Sequence, residues 1–402
     1  MKVLVLNTGS SSIKYELFRM DDWQSLTEGI VERIGERSSE RADRGEGVER
    51  GDVEPVADHH QGMRRIGQML TESQALTNAG ELFAIGHRVV HGGDEFQKPT
   101  MIDATVIEAI RRQIPLAPLH NPANVIGIEA ASAAYPGVPQ VAVFDTAFHQ
   151  TMPPHAYRYA VPEFVYREHH VRRYGFHGTS HLYVAKEAAK HLKRSLDSLN
   201  LITLHLGNGA SVTAIENGQS IDTSMGMTPL EGLIMGTRCG DLDPAVVFYL
   251  ATALRVTNDE LESMLNRESG LKGICGDNDM RLVLQRMADG DSQARLAVEM
   301  FAYRVRKYIG AYYALLGSVD AVVFTAGIGE NSPRVRAACC EGLAPLGIAI
   351  DPQRNGDVCG GNREIREIQS EQVACRVLVI PTDEELEIAR QTVEVVTTSH
   401  IV

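Results

Sequence analysis

Two stretches of this chain, about 200 residues apart, are built alike. In the first, Val3-Leu4-Val5-Leu6 is a continuous apolar run suited to a buried strand. Asn7-Thr8-Gly9-Ser10-Ser11-Ser12 is then small and polar, and residues 13–18 resume with β-formers. The second has a strand at residues 201–206, the turn Gly207-Asn208-Gly209-Ala210-Ser211, and a strand at residues 212–215. Asn217-Gly218 follows, a strong signal for a two-residue hairpin. A third such turn is expected where residues 319–325 run into Ala326-Gly327-Ile328-Gly329-Glu330-Asn331. Beyond it, Ser332 and Pro333 read as the N-cap and first residue of a helix. Helical patterns occupy residues 294–316 and 384–396. The repetition points to two related α/β halves, and 402 residues is enough for two or three cores.

Composition narrows the class. A net charge of −13 argues against a nucleic-acid binder, which needs a basic stripe. The longest apolar stretch, residues 245–254, is about half of what crosses a bilayer, and the apolar run after Lys2 is too short for a secretory signal. Six cysteines (Cys239, Cys275, Cys339, Cys340, Cys359, Cys375) form no C-x-x-C pair, as expected of reduced thiols in a cytoplasmic protein. Residues 32–58, polar and without apolar period, read as a surface loop or partly mobile segment.

Glycine-rich turns after strands expose backbone N–H groups to an anion. The familiar phosphate motifs are absent. There is no Gly-Lys pair for a Walker loop, and Val212 and Ser332 stand where a dinucleotide fingerprint needs its third glycine. The kinase His-Arg-Asp and Asp-Phe-Gly sets and the hydrolase Gly-x-Ser-x-Gly are missing too. His87/His91 and His177/His181 have i,i+4 spacing, but Arg88 and Gly178 occupy the position of the zinc-hydrolase glutamate.

From Asn7-Thr8-Gly9-Ser10-Ser11-Ser12-Ile13-Lys14 onward the sequence resembles the acetate kinase family along almost its whole length. His87-Arg88-Val89-Val90-His91-Gly92-Gly93, Leu119-His120-Asn121-Pro122, Phe144-Asp145-Thr146-Ala147-Phe148-His149 and Tyr174-Gly175-Phe176-His177-Gly178-Thr179-Ser180-His181 stand in family order. So do His205-Leu206-Gly207-Asn208-Gly209, Gly236-Thr237-Arg238, Asp279-Met280-Arg281, Gly327-Ile328-Gly329-Glu330-Asn331 and Thr382-Asp383-Glu384-Glu385. Cys239 and Asp383 depart from the common residues. The resemblance implies two duplicated ribonuclease-H-like α/β domains of the sugar kinase/Hsp70/actin superfamily with an active-site cleft between them. Their expected extents are 1–149 with 384–402, and 150–383. It also implies ATP/ADP, magnesium (manganese able to substitute), acetate and acetyl phosphate as ligands, and a homodimer.

Site roles follow from the resemblance residue by residue. Asp145, His177 and Arg238 are expected to be catalytic. Arg88 is expected to bind the carboxylate, with Val90, Leu119, Phe176 and Pro229 as the acyl pocket. Lys14, His205, Leu206, Gly207, Asn208, Gly209, Asp279, Met280, Arg281, Gly327, Ile328, Gly329, Glu330 and Asn331 are expected at the nucleotide, and Asn7 and Glu384 at the metal. The chemistry agrees, since phosphoryl transfer needs arginine forks, a metal and little else. Asp145 is expected to orient an arginine or the metal shell rather than act as a base, because a small carboxylate is already ionised at neutral pH. Thr382 and Glu385 also fit a capping box, and His91 and His181 read as satisfied core histidines. Propionate kinase, a metal-dependent hydrolase and a non-catalytic ATP module are the competing readings.

Overall fold

Strand β1 (Lys2–Thr8) is apolar from Val3 to Leu6 because both of its faces are covered. In the computed structural model, which describes residues 1–35, 40–45, 48–49, 55–358 and 364–399, the chain divides into two units. Unit 1 is Met1–Ala147 with Asp383–Val402, and unit 2 is Phe148–Thr382.

Unit 1 adds β2 (Ser12–Arg19), β3 (Ser25–Glu32), β4 (Glu40–Gly45), β5 (Val48–Glu49), β6 (Leu82–Val89), β7 (Thr100–Met101) and β8 (Gln140–Phe144). The sheet order is β5-β4-β3-β2-β1-β6-β8-β7. β1, β6 and β8 are mutually parallel, and the remaining pairings are antiparallel. Side chains alternate across each strand. Leu4 and Leu6 join Tyr15 and Leu17 under helices His59–Glu72 and Asn121–Ala134. Val3 and Val5 face the other way, with Ala84, Val141 and Val143, against helix Glu384–Ser399. That helix lies directly on β6. A Cβ on Gly86 would stand 2.4 Å from Thr392 Oγ1, so only glycine fits there.

Unit 2 contains β9 (Asn200–Leu206), β10 (Ala210–Glu216), β11 (Gln219–Thr223), β12 (Ala321–Thr325), β13 (Arg366–Glu367) and β14 (Arg376–Val379), in the order β11-β10-β9-β12-β14-β13. β9, β12 and β14 are parallel, and the other pairings antiparallel. Strand for strand this repeats β3-β2-β1-β6-β8-β7, so the chain consists of two ribonuclease-H-like α/β units. The helices reveal an exchange. Gly178–His191, which follows β8 in the chain, packs on β9 and β12 of unit 2. Glu384–Ser399, which follows β14, packs on β1, β6 and β8 of unit 1.

Asn217 (φ +51°) and Gly218 (φ +78°) join β10 to β11 as the hairpin signal requires. The Ser332 side chain caps Pro333–Cys340, and the long helical pattern becomes Ser292–Leu316. Two expectations are corrected. Ala326–Asn331 is a short helix after β12 rather than a third strand-joining turn, because the parallel strand β14 must be reached by a crossover. Within residues 32–58, of which 36–39, 46–47 and 50–54 lie outside the described residues, β4 and β5 extend the sheet beyond β3. Backbone pairing to an open sheet edge needs no apolar period. Cys239, Cys275, Cys339, Cys340 and Cys375 are free thiols, and Cys359 lies outside the described residues. Among the described residues no helix is long and apolar enough to cross a membrane.

Candidate functional site

The face of sheet 1 that carries the C-terminal helix turns polar at one end. Asn7 continues the Val3–Val5 series, Arg88 continues Ala84 and Gly86, and Asp145 continues Val141 and Val143. Lys14 is in register with Asn7, and Asn7 with Arg88. The start of helix Glu384–Ser399 brings Glu384 and Glu385 to the same end. Arg88 grips Asp145 with two prongs, Nε to Oδ1 at 3.0 Å and Nη2 to Oδ2 at 2.6 Å, and its Nε lies 4.0 Å from Glu384 Oε2. Burial works against the Arg88 charge, but Asp145 and then Glu384 outweigh it and raise its pKa. Burial pushes the Glu384 carboxyl up to about 7 despite the pull of Arg88. A cation beside it would hold it ionised, and the Asn7 amide with one such carboxylate suits magnesium, which keeps several waters and phosphate.

The capping-box expectation for Thr382 and Glu385 fails. Asp383 Oδ1 accepts the Leu386 N–H at 3.0 Å, and Thr382 Oγ1 meets Ser180 Oγ at 2.8 Å. Glu385 pairs instead with Lys14 Nζ at 2.5 Å. Aspartate, one residue closer to the helix, caps as well as threonine, which leaves Glu385 for the ion pair. Glu16, Asp383 and Glu385 lie close enough to hold a metal. The Lys14 ammonium already supplies positive charge there, and no metal is assigned to them.

Glu16 shares the Lys14 face and is 4% exposed. Burial pushes its carboxyl up to about 7, against a hydrogen bond from Ser25, with Asp383, Glu385 and Glu28 pushing the same way as burial. Its folded pKa lies above the unfolded value, so its stabilising contribution is full below about 4.5 and is lost as pH rises through about 7. Glu16→Gln is therefore expected to gain about 2–3 kcal/mol over the parent at pH 8. Urea unfolding should show no difference between the two near pH 4.5.

In unit 2 the helix Gly178–His191 covers the corresponding face, where Leu201, Thr203 and His205 alternate along β9. His177 precedes that helix with φ +57° and stacks on His205, with ring centroids 4.1 Å apart. Its Nδ1 meets Ser211 Oγ at 2.9 Å, and Ser211 Oγ also meets His181 Nε2 at 2.8 Å. His181 Nδ1 lies 2.7 Å from Thr203 Oγ1. His181 is thus the satisfied core histidine expected, held neutral by burial. His91, fully buried, accepts the Gly93 N–H at Nδ1.

Beside His177 lies Gly209, where a Cβ would stand 3.5 Å from both the His177 ring and Arg238 Nη1. Among the described residues Arg238 donates to the Pro229 carbonyl, at 3.3 Å, and to the Met235 sulfur. Burial lowers its pKa, and no carboxylate lies within ion-pair distance among the described residues. The Asn208 carbonyl accepts the Gly236 N–H at 2.9 Å, and Asn278 Nδ2 donates to Asn208 Oδ1. Cys239, after Arg238, donates its N–H to Leu265 O.

The other expected residues fall as follows. Asp279 caps helix Met280–Ala288 and pairs with the Arg281 guanidinium, Nη2 to Oδ2 at 2.6 Å. Met280 and Leu206 are buried. Gly207 stands near Ala326, at the start of the segment carrying Gly327, Ile328, Gly329, Glu330 and Asn331. Glu330 turns inward, accepting the Thr382 N–H at 3.0 Å, and Asn331 Nδ2 donates to Gly327 O. Val90 and the 58%-exposed Leu119 belong to unit 1, and buried Phe176 and half-buried Pro229 to unit 2. The sequence reading missed Ser180, Thr203 and Ser211 as partners of the histidines. Ser180 and Ser211 stood within motifs already noted, whereas Thr203 carried no signal.

The sequence profile of the acetokinase family matches residues 2–390, and the chain belongs to that family. It is 58% identical over 402 residues to "Acetate kinase" of Syntrophobacter fumaroxidans, covering 98% of this chain and 97% of that one. It is 55% identical to "Acetate kinase" of a Sulfurovum species, covering 98% of each. Among solved structures, Porphyromonas gingivalis acetate kinase superposes with a TM-score of 0.94 at 42% identity, covering 98% of this chain and 99% of that one. A propionate kinase from Francisella tularensis gives 0.91 at 44%, with the same coverage.

Proposed function

We propose that this chain reversibly transfers the γ-phosphoryl group of ATP to acetate, giving acetyl phosphate and ADP, with magnesium. The observation that carries the reading is Arg238: a half-buried guanidinium with no counter-ion among the described residues, beside His177 and a glycine turn. Such a group is stabilised by an anion that gathers charge.

An acetate oxygen attacks the γ-phosphorus in line as the bond to the β-phosphate oxygen breaks. Acetate is ionised at neutral pH, so no proton need be removed. Both Asp145 oxygens accept from Arg88, which supports an orienting role for Asp145 and a carboxylate-binding role for Arg88. Arg238 and a His177 N–H stabilise the equatorial oxygens. The turns at His205–Gly209 and Gly327–Asn331, with Asp279 to Arg281, hold the nucleotide. Lys14 reaches a phosphate once it leaves Glu385. Asn7 and Glu384 would hold magnesium, which would supply positive charge to offset the phosphates. Val90, bulkier than alanine, favours acetate over propionate, although one methylene changes selectivity by only about 1–3 kcal/mol.

Trapping acyl phosphate with hydroxylamine, using ATP, magnesium and C1 to C4 carboxylates, tests the reading. Acyl hydroxamate should form fastest with acetate, and none with any acid would refute it. A homodimer is also proposed. Helix Pro244–Leu254 buries none of its side chains, and Phe248 and Tyr249 are 73% and 70% exposed. Phe248→Glu should convert a dimer to monomer in sedimentation, and a monomeric parent protein would refute the assignment.

A further inference from the structure

Twenty residues between β11 and helix Pro244–Leu254 carry Pro229 and Arg238 yet form neither helix nor strand. An irregular segment of that length holds one geometry only if side chains fix it. Arg173 supplies much of that hold. Its Nη1 donates to the carbonyls of Thr223, Ser224 and Met225 at 2.7, 3.2 and 3.1 Å, and its Nη2 donates to Glu231 Oε1 at 2.6 Å. The other Glu231 oxygen accepts from Tyr159 OH at 2.5 Å, and that hydroxyl accepts the Met227 N–H at 3.0 Å. Gly226 closes the ring. A Cβ there would stand 1.8 Å from Glu231 Oε2 and 2.3 Å from Tyr159 OH. Its carbonyl accepts the N–H groups of Tyr174 and Gly175, just before Phe176 and His177.

We infer that Tyr159, Glu231 and Arg173 form a clamp that sets Pro229 and Arg238 against the Phe176–His177 segment that leads into helix Gly178–His191, and so sets carboxylate selectivity. The clamp touches no substrate. It acts through Pro229 and Phe176, the acyl-pocket residues of unit 2, and through Arg238. The inference rests on the proposed acetate phosphorylation and adds positioning residues to it. A carboxylate held by both a guanidinium fork and a phenol is a directional joint, since each oxygen has one assigned donor. Loosening either bond lets the Pro229 wall move while leaving the Gly327–Asn331 and Asp279–Arg281 segments untouched.

The test compares Tyr159→Phe, which removes one hydroxyl, and Glu231→Gln with the parent protein, using hydroxamate formation with acetate and propionate. In both variants KM for acetate should rise at least five-fold, and the propionate-to-acetate ratio of kcat/KM should rise at least three-fold. KM for ATP should stay within two-fold. Glu231→Asp, which keeps the charge on a shorter arm, should recover part of the acetate KM. An unchanged acetate KM and selectivity ratio in Tyr159→Phe, or a uniform loss of kcat without a change in either, would overturn the clamp while leaving the function standing. No hydroxamate from the parent protein would overturn the function and the clamp with it.

Discussion

Arg238→Ala should lower kcat by about three to four powers of ten, with KM for ATP changed by no more than a few-fold and thermal unfolding almost unmoved. The size follows from what arginines contribute to phosphoryl transfer, about 10³–10⁵ in rate where they stabilise the charge of the transition state. The selectivity of the effect follows from the surroundings. Arg238 donates to one carbonyl and a sulfur and has no carboxylate partner among the described residues, so its removal breaks no ion pair and leaves no buried acid uncompensated. Burial already lowers its pKa, which means the folded protein gains little from its charge until an anion arrives. Arg238→Lys should recover only a small part of the rate, because an ammonium is a point charge without the planar fork. A loss below ten-fold in single-turnover measurements would rule out a transition-state role.

Arg88→Ala should behave differently, costing stability as well as activity. Asp145 is 1% exposed and takes both of its strong bonds from Arg88. Removing the cation leaves a buried carboxylate alone, typically a cost of about 3–5 kcal/mol. If Arg88 binds the substrate carboxylate as proposed, turnover should fall by at least three powers of ten, since that fork is lost. The double variant Arg88→Ala/Asp145→Ala separates the two effects. It should regain part of the lost stability, because the Asp145 carboxylate is gone while Glu384 still loses its cation, and none of the activity. Recovery of activity in the double variant would show that the pair is structural only. Asp145→Asn alone should also be impaired, and near-normal turnover would refute its orienting role.

Much of the candidate site was legible because it is written in short segments. The glycine turns after residues 201–206 and at residues 7–12, Arg88 within His87-Arg88-Val89-Val90-His91-Gly92-Gly93, and Asp145 after Val141-Ala142-Val143-Phe144 each announce themselves within ten residues. So does the Ser332 cap. Errors arose where one segment could satisfy two local rules. Thr382 with Glu385 meets the capping-box spacing, yet Asp383 caps equally well and Lys14 claims Glu385 across 371 residues. Residues 326–331 look like a turn by composition, but the parallel neighbour of β12 demands a crossover, and a helix begins it. Glu231 offered no pattern at all, because its meaning comes from Arg173 and Tyr159, 58 and 72 residues away.

By itself, the sequence determined the paired strand–turn–strand units, the family and the residue types available for phosphoryl transfer. These depend on side-chain period, glycine at turns and local capping, all of which act between near neighbours. Only the tertiary structure decided that helix Gly178–His191 packs on β9 and β12, that Arg88 is matched by Asp145 while Arg238 has no carboxylate partner among the described residues, and that an irregular segment is held by Glu231. Those outcomes depend on strand register and on which charges are buried together. Coulomb and desolvation energies are set by distances in space, and separation along the chain does not carry them.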